Sequence, residues 1–215
     1  MESFKERGVC FLCNALFSVT LQKATLIAVS KKQPAYKIKQ ALSLGIKNFG
    51  ESYMQEALTK INDGVFKDAT LHFIGHLQTN KTKEAVLHFE YIHSVDRLKL
   101  INSIEKEAFK QSKVQKIFIH VKPYSDENKS GCSIEELPAL LEYTKTNCPH
   151  IQVCGLMCIP PLNIQAKKAF QAIETLTNEY KFKETSMGMS SDYPEALKHG
   201  ATFIRVGTAL FGERS

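Results

Sequence analysis

The chain has 215 residues, of which 43% are hydrophobic and 23% charged, with a formal net charge of +6. That balance excludes a disordered polymer and leaves enough apolar side chain for one domain with a real core. The apolar stretch Val9-Cys-Phe-Leu-Cys-Asn-Ala-Leu-Phe-Ser-Val19 is too short to cross a membrane, and the small, scattered positive surplus singles out neither nucleic acid nor a membrane surface as a partner.

From Thr25 onward, strand and helix patterns alternate. Thr25-Leu-Ile-Ala-Val-Ser30 is a continuous β-prone apolar run and reads as a buried strand. Pro34 opens a helix over Ala35 to Leu44, stopped by Gly45. Ile46 to Phe49 reads as a second strand and Ser52 to Ile61 as a helix, ended by Asn62-Asp-Gly64. Leu71 to Ile74 is a third strand, followed by a helix over Thr79 to His88. Tyr91 to Val95 is a fourth, with Asp96 placed to cap a helix over Arg97 to Lys110. Lys116 to Val121 is a fifth. After a polar loop, Ser133 and Glu136 stand at capping-box spacing where the next helix begins. Gln152 to Met157, Glu184 to Met187 and Thr202 to Val206 complete the strands, with helices over Ile164 to Tyr180 and Asp192 to His199 between them. The pattern leaves no eighth helix after Val206.

Apolar strands alternating with helices predict a parallel sheet covered on both faces. Eight such units predict a single-domain (β/α)8 TIM barrel over residues 25–215. Residues 1–24 are expected to form a helical segment that packs on the barrel where the eighth helix is missing. A doubly wound open sheet is the rival, but no nucleotide fingerprint follows the first strand. Six cysteines include a single C-x-x-C, Cys10 and Cys13. The others are irregularly spaced, which reads as structural thiols in a reduced, cytoplasmic setting.

Barrel chemistry collects at the C-terminal ends of the strands. Lys31 leaves the first strand there. An amine with its stem in apolar surroundings has a depressed pKa and becomes nucleophilic, although on the residues alone a surface lysine at the strand exit, beside Lys32, is the stronger reading. The last two strand ends, Gly188-Met-Ser190 and Gly207-Thr208, offer backbone N–H groups, hydroxyls and helix starts, as a phosphate site does. Arg205, inside the last strand, either faces the mouth or pairs with a neighbouring helix. His72, His76 and His93 fall on three different elements and give no metal-ligand spacing, so no metal is expected.

These pieces also carry a resemblance. Leu26-Ile-Ala-Val-Ser-Lys-Lys-Gln-Pro34, Phe49-Gly-Glu-Ser-Tyr-Met-Gln-Glu56, His72-Phe-Ile-Gly-His-Leu-Gln-Thr-Asn-Lys81, His93-Ser-Val-Asp-Arg97, Lys129-Ser-Gly131, Gly155-Leu-Met-Cys-Ile-Pro160, Ser186-Met-Gly-Met-Ser-Ser-Asp192 and Ile204-Arg-Val-Gly-Thr-Ala-Leu-Phe-Gly212 occur in that order. The chain thereby resembles the YggS/PROSC family of pyridoxal phosphate homeostasis proteins over about residues 25 to 214. The resemblance implies a barrel of the alanine racemase N-terminal type (fold-type III). It implies pyridoxal 5'-phosphate held on Lys31 as an internal aldimine, a Schiff base. Ser190, Gly207 and Thr208 would lie at its phosphate, Arg205 beside it, and Asn48 and Met157 near the ring. It further implies a role in vitamin B6 homeostasis without established catalytic turnover, a monomer, and apo-enzymes that use the cofactor as recipients. The alternative is a fold-type III amino-acid racemase or lyase, which needs a second base. His76 is the only candidate the sequence offers. Ser52 replaces the family's usual asparagine, His76 stands where proline or another residue is usual, and Lys122 lies where an asparagine is common.

Overall fold

The computed structural model describes residues 24–124, 130–160 and 166–212. Eight parallel strands form a closed barrel in chain order. They are β1 (Thr25–Val29), β2 (Asn48–Glu51), β3 (Thr70–Phe73), β4 (Tyr91–Val95), β5 (Gln115–His120), β6 (Ile151–Met157), β7 (Glu184–Met189) and β8 (Phe203–Val206). The helices that return the chain are α1 (Ala35–Ser43), α2 (Met54–Asn62), α3 (Thr82–His88, entered by a 3-10 turn at Thr79–Lys81), α4 (Leu98–Lys110), α5 (Leu137–Asn147), α6 (Ala166–Glu179), α7 (Tyr193–Lys198) and α8 (Thr208–Phe211). The (β/α)8 expectation holds, and the open sheet is excluded because β8 pairs with β1 from Thr25↔Phe203 to Ala28↔Val206.

Alternation along each strand divides the core in two. Ile117 and Ile119 of β5 face the helices and join the large outer layer, with Phe49, Phe73, Phe89 and Phe170. Phe118 between them faces the lumen, where it meets Ile27, Met157 and Phe203. This inner cluster is small because several lumen positions carry polar residues: His72, His93, Ser186 and Arg205 are all buried. Gly155 marks the tightest approach of two strands, since a Cβ there would stand 1.7 Å from the Glu184 carbonyl oxygen. Gly155→Ala is expected to destabilise the barrel at the upper end of the roughly 1–3 kcal/mol typical of overpacking, read as a fall in the urea midpoint.

Several local expectations are corrected. β2 starts and ends two residues later than the apolar run Ile46 to Phe49, because Gly50 and Glu51 pair with His72 and Phe73 of β3. Asp96 caps nothing: Arg97 stands at the N-cap of α4 without a side-chain cap bond, and Asp96 instead takes up Arg97 Nη1 at 2.5 Å and the Gly131 N–H at 3.3 Å. The capping box is present, with the Ser133 N–H donating to Glu136 at 2.8 Å and the Glu136 N–H to Ser133 Oγ at 3.3 Å. It closes a turn ahead of α5, which begins at Leu137. An eighth helix does follow β8, as the single turn α8. The helical segment expected over residues 1–24, including Cys10 and Cys13, lies outside the described residues but for Ala24. Of the other cysteines, Cys132, Cys148 and Cys158 are buried and Cys154 half-buried. Burial pushes the thiols of Cys132, Cys154 and Cys158 up to about 12, leaving them protonated and unreactive at neutral pH.

Candidate functional site at the barrel mouth

Lys31 leaves β1 in a turn that is held from below and from the side. The Ser30 N–H donates to the Gly50 carbonyl at 3.0 Å, continuing the sheet one residue past β1. The Ser30 hydroxyl donates to Glu51 Oε1 at 2.7 Å. Lys60, reaching in from α2, donates to the Ser30 carbonyl at 2.7 Å, to Glu51 at 2.8 Å and to Glu56 at 2.6 Å. Glu56 in turn accepts the Lys32 N–H at 2.6 Å, and Lys32 adopts φ +57. Residues on both sides of Lys31 are thus fixed by a buried ion pair, while Lys31 itself is half-buried.

The neighbouring strand exits bring the expected phosphate residues beside it. Ala28 is level with Val206, which puts Gly207 and Thr208 next to the end of β1. A Cβ on Gly207 would lie 3.4 Å from the Val29 Cβ, so the two exits are in contact. Met189 is level with Arg205 across β7 and β8, and the Gly207 N–H donates to Ser190 Oγ at 3.3 Å. The turn out of β7 needs Gly188, at φ +93, and is closed by the Met189 N–H on Asp192 Oδ1 at 2.5 Å. Met157 ends β6, buried and facing the lumen, level with Ser186.

Arg205 neither reaches solvent nor pairs with a helix. Its guanidinium lies inside the barrel and donates to the Ser186 carbonyl at 2.7 Å, the Ser186 hydroxyl at 2.7 Å and the Cys158 carbonyl at 2.9 Å. All three acceptors are neutral, and they are its hydrogen-bond partners among the described residues. Burial pulls its pKa down to about 10, which still leaves it charged. A buried cation hydrogen-bonded only to neutral oxygens is costly unless something anionic completes it. Lys31, Met157, Ser190, Gly207 and Thr208 stand at the C-terminal ends of β1, β6, β7 and β8. Although the Arg205 backbone is level with Ile27, its guanidinium reaches toward the same end at the Cys158 carbonyl. An amine, a cation, hydroxyls and backbone amides at one end of a barrel are groups that suit a phosphorylated aldehyde.

Asn48 does not belong to that neighbourhood. It is the first residue of β2 and lines a cavity at the opposite, N-terminal end of the barrel. Four residues of strand separate it from the level of Lys31, about 13 Å at the usual rise. Its Oδ1 faces His72 Nε2 at 3.0 Å instead. The register that sets Ala28 beside Phe49 puts Ser52, not Asn48, level with Lys31.

The far rim holds one residue that the motifs did not single out. His120 ends β5 facing the lumen, buried, with its Nδ1 lacking a hydrogen-bond partner among the described residues. Burial lowers its pKa to about 4, against the opposing pull of Asp96. His76 lies beyond it, 3.4 Å from Ser130 Oγ. Strand alternation could have found His120, since it stands two residues after lumen-facing Phe118.

Residues 15–215 match the family model described as the alanine racemase N-terminal domain. The chain is 39% identical over 194 residues to the pyridoxal phosphate homeostasis protein of Pseudomonas aeruginosa, covering 88% of this chain and 84% of that one. It is 40% identical over 199 residues to the protein of the same name from Synechocystis, covering 88% and 91%. Among solved structures, PipY of Synechococcus elongatus with pyridoxal phosphate bound superposes with a TM-score of 0.85 at 37% identity, covering 94% of this chain and all (100%) of that one. An alanine racemase of Clostridium difficile shares the fold at a TM-score of 0.75 and 11% identity, with the chain spanning 55% of it.

Proposed function

The chain belongs to the alanine racemase N-terminal domain family, among the pyridoxal phosphate homeostasis proteins, and from that premise we propose that it binds pyridoxal 5'-phosphate on Lys31 and holds it for cellular supply rather than turning over an amino acid. The observation that carries this reading is the buried Arg205, whose guanidinium, hydrogen-bonded among the described residues to neutral oxygens alone, reaches the Cys158 carbonyl at the barrel end where the half-buried Lys31 leaves β1. When bound, pyridoxal phosphate supplies an aldehyde that condenses with amines and a ring that draws electrons from the adduct. Lys31 presents its amine from a turn that the Lys60–Glu51 pair keeps in place. Ser190, Gly207 and Thr208 would hold the phosphate, and Arg205 would offset its negative charge. Met157 excludes water from the lumen side. Ser52, level with Lys31, takes the place first expected of Asn48.

The absence of turnover rests on the proton chemistry opposite Lys31. An effective base has a pKa near the working pH. His120, the lumen-facing group across the mouth, is held to about 4 by burial. It is neutral at pH 7 and a weak proton acceptor. Monomeric state, a cytoplasmic setting and delivery to apo-enzymes follow from the same reading.

The decisive experiment is a visible absorption spectrum of the purified protein with added pyridoxal phosphate. The band of lysine-bound cofactor is expected in the natural chain and is expected to be lost in Lys31→Ala. A protein that stays colourless with added cofactor overturns the reading. A racemisation assay on the loaded protein tests the second half: sustained exchange of the α-hydrogen of an amino acid would make the chain an enzyme.

A further inference from the structure

The buried polar residues of the lumen make one continuous chain of hydrogen bonds from the mouth to the base. Arg205 Nη1 is 2.7 Å from Ser186 Oγ. Ser186 Oγ is 2.8 Å from His93 Nδ1, and His93 Nε2 is 3.0 Å from His72 Nδ1. His72 Nε2 is 3.0 Å from Asn48 Oδ1. Four strands contribute, β8, β7, β4 and β3, and Asn48 on β2 ends the series.

Chemistry fixes the direction of every bond. Guanidinium has only donors, so Ser186 Oγ accepts from Arg205. At the other end Asn48 Oδ1 can only accept, so with both rings neutral each histidine donates at Nε2 and accepts at Nδ1, and the Ser186 hydroxyl hydrogen goes to His93 Nδ1. Burial keeps both histidines neutral, with His72 lowered to about 3 and His93 well below its ordinary value. A neutral imidazole that accepts at Nδ1 carries its proton on Nε2. His93 Nε2–H therefore donates to His72 Nδ1, and His72 Nε2–H donates to Asn48 Oδ1. The carbonyl oxygen of Asn48 is the acceptor this direction requires. Packing holds the rings in place: His72 stacks on Tyr91 at 4.8 Å and His93 on Phe118 at 4.5 Å. The charged groups acting on the pair are Arg205 at one end and Lys116 at the other.

The far end meets an opening. Asn48 lines a cavity of about 500 Å³ at the N-terminal end of the barrel, together with Thr25, Thr70, Tyr91, Lys113 and Lys116. We propose that Asn48, His72 and His93 are positioning residues for Arg205, forming a one-way hydrogen-bond column that orients the Ser186 hydroxyl and couples the base cavity to the cofactor side of the barrel. The effect on the cofactor rests on the reading given above; the column itself does not.

Two measurements test it. In the full chain without added cofactor, 15N-resolved imidazole NMR is expected to show His72 and His93 as Nε2–H tautomers that do not titrate between about pH 5 and 9. An Nδ1–H tautomer at either residue, or titration in that range, overturns the column. In the loaded protein, Asn48→Ala is expected to move the pH midpoint of the visible band by about half a unit or more, about 13 Å away. Thr70→Ala, in the same cavity but outside the column, is expected to leave it in place. An unmoved midpoint in Asn48→Ala overturns the coupling. If the natural chain shows no visible band at all, the cofactor reading falls and the NMR result still decides the column.

Discussion

Lys60→Met will unfold at a markedly lower urea concentration than the natural chain, with a loss of about 3–5 kcal/mol. Lys60 is a lysine of α2 that carries its ammonium under the barrel rim to Glu51, whose side chain is fully buried. Burial already pushes the Glu51 carboxyl above its ordinary pKa, in spite of Lys60 and the Ser30 hydroxyl, and its second oxygen has no partner. Methionine fills nearly the same volume but leaves that carboxylate without a cation. The control is the double variant Lys60→Met with Glu51→Gln. A neutral amide still accepts from Ser30, so more than half of the lost stability should return. If the single substitution is nearly neutral, the pair is not holding the β1 exit. Because Lys60 also binds the Ser30 carbonyl and Glu56 binds the Lys32 N–H, the single variant is expected to bind pyridoxal phosphate more weakly as well. Lys198 and Glu195, paired on the surface of α7, make the useful contrast. Lys198→Ala should change neither property measurably, since exposed pairs contribute little.

That same ion pair explains where the sequence was hard to read. Apolar strands such as Thr25–Val29 and Tyr91–Val95 were legible because both of their faces are covered. β2 was not, because it begins at Asn48 and runs through Gly50 and Glu51, which look like the end of a strand. Gly50 is in the strand because a larger residue would strike Ile27, its would-be Cβ lying 2.8 Å from that side chain. Glu51 is tolerated because Lys60, nine residues on, returns to meet it. Asn48 was expected near the ring on the resemblance alone, and the register of β2 sets it at the start of that strand. The glycines and hydroxyls at the exits of β7 and β8 stand out in the sequence because they interrupt the apolar runs of those strands. The column of His93, His72 and Asn48 was invisible because its members are remote in sequence and only the parallel pairing of β2, β3 and β4 aligns them. α8 escaped because a single turn has no periodicity.

The histidines also make the fold acid-labile well above the usual carboxylate range. His72 titrates at about 3 and His120 at about 4 in the folded chain, and His93 is lowered well below 6.5, in each case chiefly by burial. Unfolded, all three take up protons near pH 6.5. Below that pH the unfolded state therefore binds more protons than the folded one, so stability falls as pH falls. The contribution is fully present above pH 6.5. It is lost progressively down to about 4 for His120 and about 3 for His72. Each histidine gives a slope of about 1.4 kcal/mol per pH unit within its window. Glu51 and Glu184 act in the opposite sense, because burial raises their carboxyls and the folded chain protonates them first. Their offset belongs to the lower part of the range. Urea unfolding at pH 8, 7, 6 and 5 should thus show a plateau at the upper two values and a steepening loss below. His120→Gln isolates one term, since it removes the titrating ring, whose Nδ1 has no hydrogen-bond partner among the described residues. The loss between pH 6.5 and 5 should be smaller in that variant by about 2 kcal/mol. Equal losses in the two proteins would mean that His120 titrates normally in the folded barrel, and the argument that it is too weak a base to work opposite Lys31 would fall with it.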